Sequence, residues 1–300
     1  MRRVLVTGAS GFIGRHLVRR LAADPATAVH ALLREGSDAS SLPAGVAVHR
    51  HDGDPERLRS IVTGCAPDVA YHLASLFRAE HQPADIHALI GSNVEFATQL
   101  VDALADTPAR RLVNAGTIWQ HFDGDDYHPV CLYAATKQAF EAILTFYAEA
   151  RGLQATTLLL PDSYGPDDPR NKLISLLLRA ARHGTVLELS PGQQRIDLLH
   201  VDDVVAGFLT AAEQLMAEPP VGAPGRHRRH RLSSGRPRSL HELTELVGAV
   251  VGKPVEARWG ARPYRQREVM EPWQGGALLP GWQPTIDLRT GLEQIKDLYV

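Results

Sequence analysis

Residues 4–17 read Val4-Leu5-Val6-Thr7-Gly8-Ala9-Ser10-Gly11-Phe12-Ile13-Gly14-Arg15-His16-Leu17. The first three residues predict a short buried strand, and the residues after Gly14 predict a helix. Gly8 suits a tight turn, Gly11 lets a ligand approach the backbone, and Gly14 lets the helix pack close to the strand. Because the first N–H groups of the helix then point at an anion, these residues predict a site for the pyrophosphate of a dinucleotide.

The composition of the chain is that of a globular protein. It has 300 residues, of which 44% are hydrophobic and 22% charged, with a net charge of −2. This balance gives no reason to expect nucleic acid or a membrane as a partner, and the N-terminus lacks the pattern of a signal peptide. Two cysteines, Cys65 and Cys131, and 14 histidines show no metal-ligand spacing. We therefore expect no metal, and the few cysteines favour a reducing cytoplasm.

Short apolar runs alternate with helical patterns over the first 160 residues. This alternation predicts an α/β fold in which helices cover both faces of a parallel sheet. The predicted strands are residues 4–6, 29–33, 46–49, 69–75, 111–114 and 156–160.

The end of the second predicted strand bears on which dinucleotide is bound. A carboxylate there accepts hydrogen bonds from the adenosine ribose, whereas this strand ends in Arg34, with Ser37 close behind. Arginine suits a 2′-phosphate by its charge and planar fork, so we predict NADP, with NAD as the alternative. Arg34 could also stack on the adenine in an enzyme that takes either cofactor, and the neighbouring Glu35 leaves this open. Asp52 is predicted to accept from the adenine amino group or to cap the next helix.

Tyr133 and Lys137 lie four residues apart in a predicted helix, so their side chains project from one face. A tyrosine that exchanges a proton near neutral pH starts from a pKa of about 10. A nearby ammonium stabilises the phenolate and lowers that pKa. We therefore predict that Tyr133 transfers a proton and that Lys137 lowers its pKa.

These motifs resemble, in their order, the extended short-chain dehydrogenase/reductases, the NAD-dependent epimerase/dehydratase family of sugar-nucleotide enzymes. The resemblance covers nearly the whole chain, through Thr7-Gly8-x-x-Gly11-x-x-Gly14, His72-Leu73-Ala74-Ser75, Asn93-Val94, Tyr133-x-x-x-Lys137, Tyr164-Gly165-Pro166 and residues 195–203. It implies a Rossmann doubly wound parallel sheet with a smaller, interleaved C-terminal domain. The implied division assigns residues 1–160 and 195–213 to the dinucleotide, and residues 161–194 and 214–300 to the sugar nucleotide.

The family pattern also implies contacts with the cofactor and the substrate. Cofactor contacts are expected at Gly8, Ser10, Gly11, Phe12, Ile13, Gly14, Arg34, Ser37, Asp52, Leu73, Ala74, Ser75, Asn93, Lys137 and Pro161. Substrate contacts are expected at Asp162, Lys172, Arg195 and Arg262, with Asp162 assigned to the hexose and the two arginines to the diphosphate. The basic run at residues 226–231 is predicted to be a solvated loop, and its alternative is binding of polyphosphate or nucleic acid.

The family further implies a Ser or Thr after the fifth strand that hydrogen-bonds the reacting substrate oxygen. Aligning Ile118-Trp119 with the family's Val-Tyr pair places this residue at Ala115, which has no hydroxyl. We predict that Thr117, the nearest hydroxyl, fills the role. The alternatives are that water or another side chain fills it and that Thr117 caps a local turn. This segment also lacks the Asp-Glu pair of the family's dehydratases, which argues against dehydration.

A narrower likeness is to the branch that contains CDP-abequose and CDP-paratose synthases, through residues 114–121, 132–141 and 262–270. It implies NADPH-dependent reduction of the C4 ketone of a nucleotide diphosphate 4-keto-6-deoxyhexose. A homodimer is expected, packed through the Tyr133 helix and the helix before it. The alternative functions are an NAD-dependent 4-epimerase and a non-catalytic dinucleotide-sensing protein on the same fold.

Overall fold

The structure is a computed structural model that describes residues 1–124, 128–218 and 225–299. Its strands are β1 (Arg2–Thr7), β2 (Thr27–Arg34), β3 (Ala47–His51), β4 (Val69–His72), β5 (Arg111–Thr117), β6 (Gln154–Leu160), β7 (Asp162–Tyr164), β8 (Leu187–Glu188), β9 (Arg195–Ile196), β10 (Leu198–His200), β11 (Arg226–Arg231), β12 (Arg238–Ser239) and β13 (Ala257–Arg258). Its helices are α1 (Phe12–Ala22), α2 (Pro55–Cys65), α3 (Asp85–Ile90), α4 (Phe96–Ala105), α5 (Leu132–Arg151), α6 (Leu173–His183), α7 (Val201–Met216), α8 (Leu240–Val251) and α9 (Leu288–Ile295). A π-helical segment, Gly91–Glu95, joins α3 to α4, and a 3₁₀ turn, Ile118–Gln120, follows β5.

Seven parallel strands form the central sheet in the order β11-β6-β5-β4-β1-β2-β3. Apolar side chains of α1 and α7 cover one face, and those of α2, α4 and α5 cover the other. The predicted doubly wound α/β fold is therefore confirmed. The strand order reverses between β1 and β4, and in such sheets ligands bind in the crevice at the carboxyl ends of the strands beside that reversal.

A third apolar cluster lies outside the sheet layers, where α6, α8 and α9 pack together around residues such as Leu177, Leu243 and Leu292. Three two-stranded sheets, β7 with β10, β9 with β12 and β8 with β13, accompany it. The predicted residue limits of the two domains stay a prediction.

The basic run at residues 226–231 is strand β11, so the prediction of a solvated loop was wrong. It pairs in parallel with β6 at one edge of the central sheet. Its side chains find partners there, because His227 Nε2 lies 2.8 Å from Thr157 Oγ1 and Arg229 Nε lies 2.8 Å from Glu141 Oε2. An edge strand tolerates such charged residues.

Predicted strand 69–75 is shorter than expected. β4 ends at His72, and the residues that follow leave the sheet. Among the described helices, none has the length and hydropathy that crossing a bilayer requires.

Candidate active site

The glycine turn between β1 and α1 forms a close-packed cradle. Gly8 adopts a φ of +67°, and a Cβ there would lie 2.6 Å from the backbone nitrogen of Ala74. A Cβ on Gly14 would collide with the carbonyl oxygen of Gly8. Gly11 is the N-cap of α1, and the first N–H groups of a helix have no acceptor within it. A dinucleotide pyrophosphate fits this cradle, because the backbone is bare and the N–H groups are available.

A cavity of about 590 Å³ extends from this turn over the ends of β2, β3 and β4. Nine of the residues predicted to bind the cofactor line it: Gly8, Ser10, Gly11, Arg34, Ser37, Asp52, Leu73, Ala74 and Ser75. Arg34 is exposed, and among the described residues its guanidinium has no carboxylate partner. The backbone behind it is held in place, since the Arg50 guanidinium donates to the Ser37 carbonyl oxygen at 2.8 Å.

Asp52 lines this cavity but does not cap α2, so that alternative was wrong. The cap is Asp54, whose carboxylate accepts from the Glu56 N–H at 3.1 Å. Asp52 instead accepts from the Asp54 N–H and from Arg57, and these bonds lower the pKa of its carboxyl. The carboxylate therefore stays charged beside the cavity.

Asn93 lies behind the cavity rather than in its wall. Its side chain is 1% exposed and sits in the π-helical segment. It donates to Thr136 Oγ1 and to the Leu76 carbonyl oxygen, both at 2.9 Å, and accepts from the Leu76 N–H and the Ser75 hydroxyl. In this structure Asn93 holds the segment after β4 against α5.

A second cavity, of about 360 Å³, continues from the first toward α5. It brings together Tyr133, Lys137 and Thr117 with the predicted cofactor residues Phe12, Ile13, Gly14 and Pro161, and Ala115 also lines it. The i and i+4 placement of Tyr133 and Lys137 on α5 directs both side chains into this space.

The protonation of this pair is governed by burial. Burial raises the pKa of the Tyr133 phenol, and a hydrogen bond with Ser75 opposes the rise. Burial also lowers the pKa of the Lys137 ammonium to about 8, and the charge of Glu141 opposes that fall. The expectation of a lowered Tyr133 pKa was therefore wrong for this structure, because desolvation outweighs the Ser75 hydrogen bond and the positive charge of Arg170.

Thr117 is the cap of the 3₁₀ turn as well as a wall of the cavity. Its hydroxyl oxygen accepts from the Trp119 N–H at 3.2 Å, and its own N–H donates to Gln120 Oε1 at 3.0 Å. The Gln120 side-chain NH₂ group in turn donates a hydrogen bond to the buried Glu141 carboxylate at 2.7 Å. The capping bond uses a lone pair of the hydroxyl, so the hydroxyl proton remains available to donate to a ligand.

A third cavity, of about 330 Å³, adjoins the second and is lined by Asp162, Lys172 and Arg195. The Lys172 ammonium lies 3.3 Å from the Asp162 carboxylate. Arg262 is not in this group, because it lines a separate cavity between α6 and the β8–β13 sheet. Its N–H donates to the Leu189 carbonyl oxygen, which fixes it there.

Several residues of these cavities were not predicted as site residues. The Phe77 ring packs against Tyr133 and Trp119, and the Arg170 guanidinium stacks on Phe12 with 4.3 Å to the ring centre. Arg265, which the sequence offered as a further diphosphate contact, lies over the Trp119 ring and pairs with a neighbouring glutamate. Phe77 and Arg170 stand in loops without a motif, so no sequence signal marked them.

Fold and cavities together are those of a doubly wound α/β protein with a candidate Tyr-Lys pair. The family model described as "NAD dependent epimerase/dehydratase family" matches residues 4–222. The chain belongs to this family, which confirms the resemblance expected from the sequence.

The similar proteins are named for more than one activity. The chain is 25% identical over 297 residues to a CDP-abequose synthase of Salmonella typhimurium, covering 97% of this chain and 96% of that protein. It is 26% identical over 327 residues to a UDP-glucose 4-epimerase of Mycolicibacterium smegmatis, covering 99% and 98%. A solved structure of UDP-glucose 4-epimerase from Brucella ovis in complex with NAD superposes with a TM-score of 0.86 at 23% identity, covering 100% and 98%.

Proposed function

We propose that this protein reduces the C4 ketone of a nucleotide diphosphate 4-keto-6-deoxyhexose with NADPH. The observation that carries the proposal is the position of Tyr133 between the cofactor and substrate cavities. The second cavity shares Gly8 and Ser75 with the first, and Asp162 and Lys172 with the third. A ligand in the third cavity and a dinucleotide in the first two therefore meet beside the Tyr133 phenol.

The raised pKa of Tyr133 suits a reductase. Bound NADPH would supply hydride to the ketone carbon, and the developing oxyanion then needs a proton. A phenol whose pKa is raised by burial holds its proton at neutral pH and can donate it to that oxygen. Lys137, with a pKa of about 8, is mostly charged at neutral pH and stabilises the phenolate that is left. The Thr117 hydroxyl would orient the carbonyl oxygen.

The preference for NADPH rests on Arg34. An exposed guanidinium without a carboxylate partner among the described residues is suited to bind a 2′-phosphate bidentately. Ser37, in the same cavity wall, adds a hydroxyl donor.

The third cavity has cations in its lining that suit the diphosphate of the substrate, alongside the carboxylates of Asp162, Asp168, Asp197 and Glu268. Lys172, Arg195 and Arg265 all line it, and aromatic rings of Phe77 and Trp119 lie beside them. Asp162 already neutralises one of these charges and is directed toward Lys172. We therefore assign Asp162 to the hexose hydroxyls, since a carboxylate accepts from hydroxyls and repels phosphate.

The test is oxidation of NADPH by purified protein with CDP- and dTDP-4-keto-6-deoxyglucose, followed by identification of the product. We expect turnover with NADPH that falls by a factor of about 10²–10⁴ in Tyr133→Phe, the usual contribution of a general acid. Arg34→Gln should weaken NADPH binding about tenfold or more while leaving NADH binding unchanged, since a charge-assisted bond is lost. Arg20→Gln, an exposed arginine outside the cavities, is the matched control. No oxidation with either keto-sugar would refute the proposal and leave the 4-epimerase and the dinucleotide-sensing protein as the alternatives.

The second candidate is a 4-epimerase, which the Mycolicibacterium smegmatis relative favours. An epimerase oxidises and re-reduces the same carbon, so it keeps its dinucleotide and shows no net oxidation. Protein purified with bound NAD that interconverts UDP-glucose and UDP-galactose would establish this alternative.

We also propose a homodimer that packs through α5 and the helical stretch before it, which runs from α3 through the π-helical segment into α4. Within this stretch α3 contacts α5, and these two helices together expose Ile86, Ile90 and Phe146, the last 59% exposed. Sedimentation of the protein and of Phe146→Glu tests this: we expect a dimer that the charged residue dissociates.

A further inference from the structure

Three potential metal ligands meet at the β3 edge of the central sheet, which is opposite the edge formed by β11. They are His30 on β2, His49 on the edge strand β3, and Cys65, the last residue of α2. They are 19 and 16 residues apart along the chain. No short motif joins them, and only the pairing of β2 with β3 and the packing of α2 bring them together.

The three donor atoms form a small triangle. His30 Nδ1 lies 3.0 Å from His49 Nε2, and Cys65 Sγ lies 3.4 Å from each of these nitrogens. Around tetrahedral zinc, bond lengths of about 2.0–2.1 Å to nitrogen and about 2.3 Å to sulfur place N and N about 3.3 Å apart and N and S about 3.5 Å apart. The triangle therefore matches one face of a zinc tetrahedron within about 0.3 Å.

The donor types select the metal. Imidazole nitrogen and thiolate sulfur are ligands of zinc, whereas magnesium and calcium take oxygen ligands. The Cys65 side chain is buried at 5% exposure, and the two histidines are partly exposed. The imidazoles thus leave a solvent side on which water can complete the coordination.

We propose that His30, His49 and Cys65 bind one zinc ion that ties the edge strand β3 to β2 and α2. None of the three residues lines the cavities of the candidate active site. Two residues beyond His49, however, β3 ends at His51, and His51 and Asp52 line the adenosine end of the first cavity. The zinc would therefore hold in place the strand that presents these two residues.

The test uses the full-length protein after removal of bound metal by a chelator. Zinc is titrated in competition with a chromophoric chelator, and cobalt(II) is added in a parallel sample. We expect one zinc per chain and, with cobalt, a thiolate-to-metal charge-transfer band. Cys65→Ser should abolish the band and weaken zinc binding by more than about tenfold. Changing a residue that only supports a metal ligand already weakens binding by about that factor, and the loss of a ligand should weaken it more.

His49→Gln is a second variant at a partly exposed position, and it should weaken zinc binding in the same way if Cys65→Ser does not fold. Cys131→Ser and His183→Gln are matched controls outside the triangle and should keep both the zinc and the cobalt band. Zinc should raise the melting temperature of the unaltered protein and of the controls only, because a ligand that binds the folded state stabilises it.

The proposal is overturned if the protein takes up no zinc, if Cys65→Ser keeps the cobalt band, or if copper(I) binds while zinc is refused. In the first case the three side chains form only a hydrogen-bonded group. These readouts do not depend on turnover, so they are independent of the proposed reductase activity.

Discussion

The ring of Phe77 meets the ring of Tyr133 edge to face, with the ring centres 5.0 Å apart. The ammonium of Lys172 lies 4.3 Å from the centre of the same Phe77 ring. The Phe77 side chain therefore contacts both the proposed proton donor, Tyr133, and a lysine that is proposed to bind the substrate. Phe77 is 38% exposed, so it is available to contact a ligand as well.

Replacing Phe77 by leucine should lower kcat/KM for the keto-sugar about thirtyfold. The change removes an aromatic pair and a cation–π contact, each of which contributes about 1 kcal/mol. Steady-state kinetics with NADPH measure the effect, and the affinity for NADPH should stay the same. Leu278→Ala, at an exposed apolar residue outside the three cavities, is the control. An unchanged kcat/KM in Phe77→Leu would show that the ring does not position Tyr133.

Thr117→Val should lower kcat about a hundredfold, the scale of losing one donor to a developing oxyanion. It should also destabilise the protein by about 1 kcal/mol, because the hydroxyl caps the 3₁₀ turn. Thr117→Ser keeps both functions and should resemble the unaltered protein. The double variant Thr117→Val with Ala115→Ser should recover activity, since it places a hydroxyl in the same cavity. Thermal melts and kcat separate the two roles of Thr117.

Reduction should slow as the pH rises through about 8, because the Lys137 ammonium then loses its proton. Below that pKa the charged form predominates and supports the phenolate of Tyr133. The Tyr133 phenol does not cause this fall in rate above about pH 8, which is the alkaline limb of the pH profile, since burial raises the pKa of the phenol. A plot of log kcat against pH measures it. In Lys137→Arg the side chain stays charged, so a limb that remained at the same pH would contradict the assignment.

Arg229→Leu should destabilise the protein by about 3 kcal/mol at neutral pH, since a buried carboxylate loses its charged partner and keeps only its hydrogen bond from Gln120. That carboxylate is Glu141, which is 5% exposed and whose pKa is raised by burial and held down by Arg229. The loss should shrink at lower pH, where Glu141 binds a proton. Arg228→Leu is the control on the same strand, because its pair with Glu218 is about one-third exposed and contributes about 1 kcal/mol or less. Denaturant unfolding at two pH values compares them.

The sequence predicted the parts of the fold that local patterns encode. Strands β1 to β6 follow from apolar runs, and the cradle at Gly8 and Gly14 follows from the need for bare backbone. Strand β11 was missed because its residues are all charged or histidine, and only pairing with β6 and a partner such as Glu141 stabilises it.

The same limit applies to the candidate site. Tyr133 and Lys137 were found because both lie on one helix at a fixed spacing. Arg262 was grouped with Arg195, yet the fold separates the cavities that they line. The triangle of His30, His49 and Cys65 depends on tertiary packing, which no spacing along the chain reports.

Strand β11 is synthesised well after β6, the strand with which it pairs. His227 reaches its partner Thr157 across 70 residues of sequence, so β6 leaves the ribosome long before its neighbour exists. During that interval β6 is an open edge that other chains can pair with, and Glu141 still lacks Arg229. Folding of the nascent chain therefore finishes late, and a chain interrupted between β6 and β11 is a target for aggregation or proteolysis.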